Sequence, residues 1–131
     1  MPEPATLLGF DFGTRRIGVA LGNTITGQAR PLEIIASEPV KPRFERIQKL
    51  LHEWQPNLLV VGLALTQAGG EQEATARCRR FANQLHGRFG LPVVLQDERN
   101  SSLEAQALQK RHAPDDALAA CVILQRYLDT L

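Results

Sequence analysis

Aromatic side chains are scarce in this sequence. One tryptophan, one tyrosine and five phenylalanines make up 5% of 131 residues. A surface that works chiefly by stacking on nucleobases is therefore not expected. Cysteine is scarcer still. Cys78 and Cys121 stand far apart, with no metal-ligand spacing around them. That excludes a disulfide scaffold and fits two buried thiols in a reducing compartment. No apolar run reaches the length of about 18 residues that a membrane span needs. No charged start leads into an apolar stretch either, so the expectation is a cytoplasmic protein without signal peptide or membrane contact.

An excess of one charge is missing too. Fifteen Lys and Arg face fourteen Asp and Glu, for a net charge of +1. A polyanionic partner would have to be held by local patches. Candidates are Arg15-Arg16, the group Arg77, Arg79 and Arg80, and Lys110-Arg111-His112. Each can equally be a solvated face. His52, His86 and His112 stand in or beside helix-like segments next to charged residues, which points to the surface rather than to a metal site.

What is present suffices for a packed core: 44% of the residues are hydrophobic. The expectation is one domain over 1–131, with 1–5 as a loose tail. Residues 6–12 read as an apolar strand, and 16–22 (RIGVALG) as a half-buried strand forming a hairpin with it. Residues 29–36 read as a third strand, with Pro31 near its beginning or on an edge. The period then changes. Phe44, Ile47, Leu50, Leu51 and Trp54 recur at three and four, giving a helix over 42–55 that Pro56 stops. LLVVG at 58–62 is a continuous apolar run suited to a parallel strand covered on both faces. A long helix over 71–88 ends at Gly90. A strand over 91–96, a helix over 101–111 behind Ser101-Ser102 and a last helix over 115–130 complete the order. Hairpins followed by alternating helix and strand give an α/β fold: three antiparallel strands, two parallel additions and helices on both faces.

The acids are placed suggestively. Asp11 ends the first strand, Asp97 and Glu98 end the last, and Asp115 and Asp116 fall in the first turn of the final helix. Gathered together, such carboxylates would repel unless a hard cation such as Mg²⁺ held them. The matching chemistry is two-metal hydrolysis of a phosphodiester, one ion acidifying the attacking water and the other stabilising the leaving oxygen. Local explanations also stand: a turn aspartate, a solvated loop, and acids at a helix dipole. Extended backbone points Asp97 and Glu98 to opposite faces, so only one of them is expected to serve as a ligand. Periodicity does not separate Asp115 from Asp116.

The segments FDFGTRRIGVALGN, VVGLALTQAGGEQEATARCRRFA, QDERNSSLEAQ and DDALAACVILQRYL, in this order, resemble the YqgF (RuvX) family. These are bacterial proteins described as pre-16S rRNA-processing nucleases or as Holliday-junction-resolvase-like. The resemblance runs from about Leu7 to Leu128. It implies a ribonuclease H-like fold and a carboxylate triad at Asp11, Glu98 and Asp116, holding Mg²⁺ or Mn²⁺. It further implies that Thr14, Arg15 and Arg16, with Arg99, Ser101 and Ser102, meet a nucleic-acid backbone. The implied activity is hydrolysis of structured RNA at the 5′ end of precursor 16S rRNA. Cleavage of branched DNA and non-catalytic RNA binding are the alternatives, by a monomer or a homodimer. The sequence departs from the family pattern at Ala64, Ala68 and Asn100 and in the His112-Ala113-Pro114 stretch, where the family is commonly more basic. Fewer lysines there imply a weaker hold on phosphates. DFGT also begins the phosphate loop of actin-like and sugar-kinase ATPases, but those need two such domains.

Overall fold

The computed structural model describes residues 4–99 and 117–131. Five strands form one mixed sheet: β1 (Thr6–Phe12), β2 (Arg16–Asn23), β3 (Ala29–Ala36), β4 (Leu58–Leu63) and β5 (Val93–Asp97), in the order β3-β2-β1-β4-β5. β1–β2 and β2–β3 are antiparallel, while β1–β4 and β4–β5 are parallel. The expected hairpins and parallel additions are thus both present. β4 lies inside the sheet and under helices, and Leu58 to Gly62 are all buried, as a continuous apolar run requires.

Helix α1 (Val40–Trp54) buries Phe44, Ile47 and Leu50, the stripe its spacing predicts. Gln55 closes it in the left-handed region, φ 46°, just before Pro56. Helix α2 (Glu73–Phe89) opens on a reciprocal cap between Gln72 and Thr75 and closes on Gly90, φ 70°. Both pack on one sheet face, where Phe10, Phe44 and Phe81 centre the core. Helix α3 (Leu118–Leu128) covers the other face against Leu7, Ala20 and Val60.

The structure differs from expectation at several element ends: α1 begins at Val40 rather than 42 and α2 at Glu73 rather than 71. β5 begins at Val93, because Leu91-Pro92 leads in and the Pro92 carbonyl only accepts a bond from the Leu59 N–H. The last helix begins at Leu118 with Ala117 as its cap and no acid in its first turn. Asp115 and Asp116, expected in its first turn, lie outside the described residues. So does the helix expected over 101–111.

α3 sits unusually near the strands. A methyl at Gly9 would stand 2.8 Å from Leu124 Cβ, and one at Gly18 would be 3.4 Å from Ala117 Cβ. Missing side chains on the sheet meet small ones on the helix. Gly9→Ala is expected to destabilise the fold by about 1–3 kcal/mol through overpacking. A urea midpoint equal to wild type would contradict that close approach.

Candidate functional site

Strand alternation decides where Asp11 points. Phe10 and Phe12 go to the α1/α2 face, so Asp11 emerges on the α3 face, opposite Gly18 across the hairpin. Glu98 follows β5 directly, and its N–H still donates to Leu63 O at 3.2 Å. Its carboxyl crosses the end of β4 above Gly62, where a methyl would lie 2.9 Å from Glu98 Oε2 and 2.6 Å from Ile123 Cδ1. Three parallel neighbours, β1, β4 and β5, thus end together and deliver Asp11, Gly62 and Glu98 to one spot. The C-terminal edge of parallel strands is where α/β sheets commonly bind ligands.

The two carboxyls are hydrogen-bonded to each other. Burial pushes Asp11 upward, partly offset by the hydrogen bond from Glu98. Burial, and then the charge of Asp11, pushes Glu98 up to about 8. Both carboxyls are thus pushed toward holding a proton, and the pair shares it. Such a pair needs either a shared proton or a cation. It offers oxygen donors alone, which suits a hard divalent ion with water and phosphate oxygens completing its shell. Asp116, the expected third ligand, lies outside the described residues, among which no cluster of three or more His, Cys, Asp or Glu occurs.

Asp97 is engaged elsewhere. It accepts from the Arg99 backbone N–H at 2.8 Å and from Arg99 Nε at 2.7 Å, and Arg99 holds its carboxyl below the usual range. The two adjacent acids thus meet different partners, Asp97 the Arg99 side chain and Glu98 the Asp11 carboxyl. Arg99 also donates to Gln67 O at 3.1 Å, tying the end of β5 to the loop before α2.

Thr14, Arg15 and Arg16 are exposed on the β1–β2 turn and, with Asp11, line a cleft of about 430 Å³ that reaches Ile34 and Ala117. Ser101 and Ser102 lie outside the described residues. Of the other arginines considered, Arg77 pairs with Glu73 at 3.2 Å and Arg79 with Glu71 at 3.1 Å. His52 and His86 are exposed, and both cysteines are buried thiols, as expected. Cys78 sits close enough to Asp11 and Glu98 for their charges, with burial the larger effect, to raise its pKa.

Two residues of the site escaped the sequence reading. Gly62 ends an apolar run, a position that carries no chemical signal. Arg126 donates to Asp97 O at 3.1 Å, and its charge counteracts the rise at Glu98. Its spacing of three from Ile123 could have placed it on the same helix face.

Comparison with known proteins identifies the family and the fold. The profile of the RuvX family, described as Holliday junction resolvase, matches residues 5–130. A Bordetella petrii protein named "Putative pre-16S rRNA nuclease" is 69% identical over 131 residues, covering 100% of this chain and 99% of the relative. A Yersinia pestis protein of the same name is 49% identical over 134 residues, covering 95% and 94%. Among solved structures, Thermus thermophilus RuvC in complex with Holliday junction substrate superposes with a TM-score of 0.61 at 21% identity, covering 95% and 94%. The fowlpox virus Holliday junction resolvase gives 0.61 at 12% identity, covering 96% and 99%. At such identities these structures speak for a common ribonuclease H-like fold. With its sequence matched nearly end to end, the chain belongs to the RuvX family.

Proposed function

We propose that this chain is a divalent-metal-dependent nuclease that hydrolyses phosphodiester bonds in structured RNA, at the 5′ end of precursor 16S rRNA during ribosome biogenesis. The observation that carries the reading is the contact between Asp11 and Glu98 at the shared ends of parallel strands, beside a cleft rimmed by Arg15 and Arg16. Names of relatives at 69% and 49% identity support the RNA substrate. Asp11, Glu98 and Asp116 would hold Mg²⁺ or Mn²⁺. A bound ion supplies Lewis acidity toward the phosphodiester and lowers the pKa of water, in the manner of two-metal hydrolases.

The protein's own groups do the rest. Asp11 and Glu98 are held rigid by the ladder of β1, β4 and β5, so their oxygens are positioned before substrate arrives. The proton shared by Asp11 and Glu98 would leave when a cation took its place. Thr14, Arg15 and Arg16, together with Arg99, Ser101 and Ser102, would contact the backbone of the bound strand. With so few aromatics, recognition rests on backbone and shape, as is common for duplex or folded RNA.

The family's description favours a second reading, resolution of four-way DNA junctions. The two separate in one experiment. Purified protein is incubated with a 5′-extended precursor 16S rRNA fragment and, in parallel, with a synthetic four-way junction, each with Mn²⁺ or EDTA. The expected result is RNA cleavage with Mn²⁺ and none in EDTA. Cutting of the junction alone would support the resolvase reading. Binding of RNA without any cutting would make the chain an assembly factor and end the nuclease reading.

A further inference from the structure

Arg43 is buried, at 6% exposure, on the side of the sheet away from the carboxylates. Its guanidinium lies among three rings, 5.2 Å from the centroid of Phe12, 4.7 Å from Phe44 and 5.6 Å from Phe81. Among the described residues no carboxylate comes within ion-pair distance of it. Its Nε is buried without a hydrogen-bond partner. A buried guanidinium without a contact ion pair is costly even with the charge of Glu38 acting on it from a distance, and an apolar side chain of similar volume would often be as stable or more so. Stability therefore does not explain its presence.

Its hydrogen bonds suggest what does. Arg43 Nη1 donates to Ser37 O at 3.2 Å, and Nη2 donates to Gln84 Oε1 at 3.3 Å. Ser37, 2% exposed, then grips the β1–β2 turn twice. Its hydroxyl donates to Gly13 O at 2.7 Å and its N–H donates to Arg15 O at 2.9 Å. The turn closes on itself through Gly13 N–H to Arg16 O at 2.9 Å. The chain of contacts runs from the α1/α2 core, through one serine, to the two carbonyls that set how Thr14, Arg15 and Arg16 face the cleft.

We propose that Arg43 is a positioning residue for the nucleic-acid site, fixing Ser37 and through it the turn that presents Thr14, Arg15 and Arg16 to substrate. This rests on the nuclease reading above. Because the turn grips substrate away from the reacting phosphorus, loosening it removes binding that is equal in ground and transition states, which raises KM and spares kcat.

The test uses the full chain with Arg43→Met, which keeps the packing volume and drops the charge, and with Ser37→Ala, which removes one bond at the turn itself. Hydrogen exchange is expected to speed up about tenfold at the Gly13 and Ser37 amides in Arg43→Met, with the thermal midpoint at or above wild type. KM for the RNA fragment should rise about tenfold, with kcat within about threefold. Ser37→Ala should reproduce the KM effect, and adding it to Arg43→Met should contribute little, since the two act in series. Should Arg43→Met fail to fold, the KM effect of Ser37→Ala decides. Unchanged exchange at the two amides, or faster exchange with an unchanged KM, overturns the proposal. Wild type that neither binds nor cuts nucleic acid would instead overturn the nuclease reading, and exchange at the turn is measured independently of it.

Discussion

Glu98→Gln is expected to melt higher than wild type in EDTA at pH 8.5 and to have lost cleavage. The Glu98 carboxyl is pushed up to about 8 in the folded protein, by burial first and then by Asp11, against a usual value of 4.5. Between those two pH values the folded state keeps a proton that the unfolded chain has released. Stability therefore falls as pH rises from about 4.5 to about 8. Glutamine cannot ionise and escapes this loss. After allowance for solvent screening at a half-exposed site, a gain in thermal midpoint of about 5 °C is reasonable at pH 8.5. At pH 4 the two proteins should melt within about 2 °C of each other. Mn²⁺ should raise the midpoint of wild type at pH 8.5 and leave the variant unmoved, since a ligand stabilises only the state that binds it. A variant less stable than wild type at pH 8.5 would show that the carboxyl is held by contacts worth more than its buried charge costs.

Gly62→Ala addresses the same carboxyl from below. The added methyl would meet Ile123 Cδ1 at 2.6 Å and Glu98 Oε2 at 2.9 Å. Ile123 is fully buried, so the carboxyl is the more mobile of the two obstacles. Displaced by even about 1 Å, it would part from Asp11, and a shift of that size can cost about a hundredfold in rate. A hundredfold loss of kcat is therefore expected, with destabilisation of about 1–3 kcal/mol from overpacking. Combining Gly62→Ala with Ile123→Val separates the two effects. The shorter side chain should restore most of the stability and little of the activity. Activity within twofold of wild type in folded Gly62→Ala would mean that the position of Glu98 is not critical.

The sheet was legible because its rules are local. Alternation at 16–22, a continuous apolar run at 58–62 and the three-and-four stripe of α1 each specify one element. The ends were less so. Pro92 delayed β5, and α2 waits until Glu73 because Gln72 and Thr75 form its reciprocal cap. At the site, Asp11 and Glu98 could be named from residue type and family resemblance, whereas nothing in the sequence says that Gly62 lies beneath Glu98. That follows only from the parallel register in which Gly62 pairs with Gln96. Arg43 was hidden for a similar reason. A charged residue at the start of an amphipathic helix reads as solvated, and its burial depends on the rings that three separate elements bring around it.

The account centres on a carboxylate pair that serves phosphodiester hydrolysis, and Asp11→Asn tests it most directly. The variant keeps the side-chain volume and a hydrogen-bonding oxygen while removing the charge. Wild type and Asp11→Asn, purified in parallel, are incubated with the 5′-extended precursor 16S rRNA fragment in Mn²⁺, and cleavage is followed on a gel alongside a binding titration. The account predicts cleavage by wild type, at least about a thousandfold less by Asp11→Asn, and binding that differs little between them. Equal cleavage by the two proteins would contradict it.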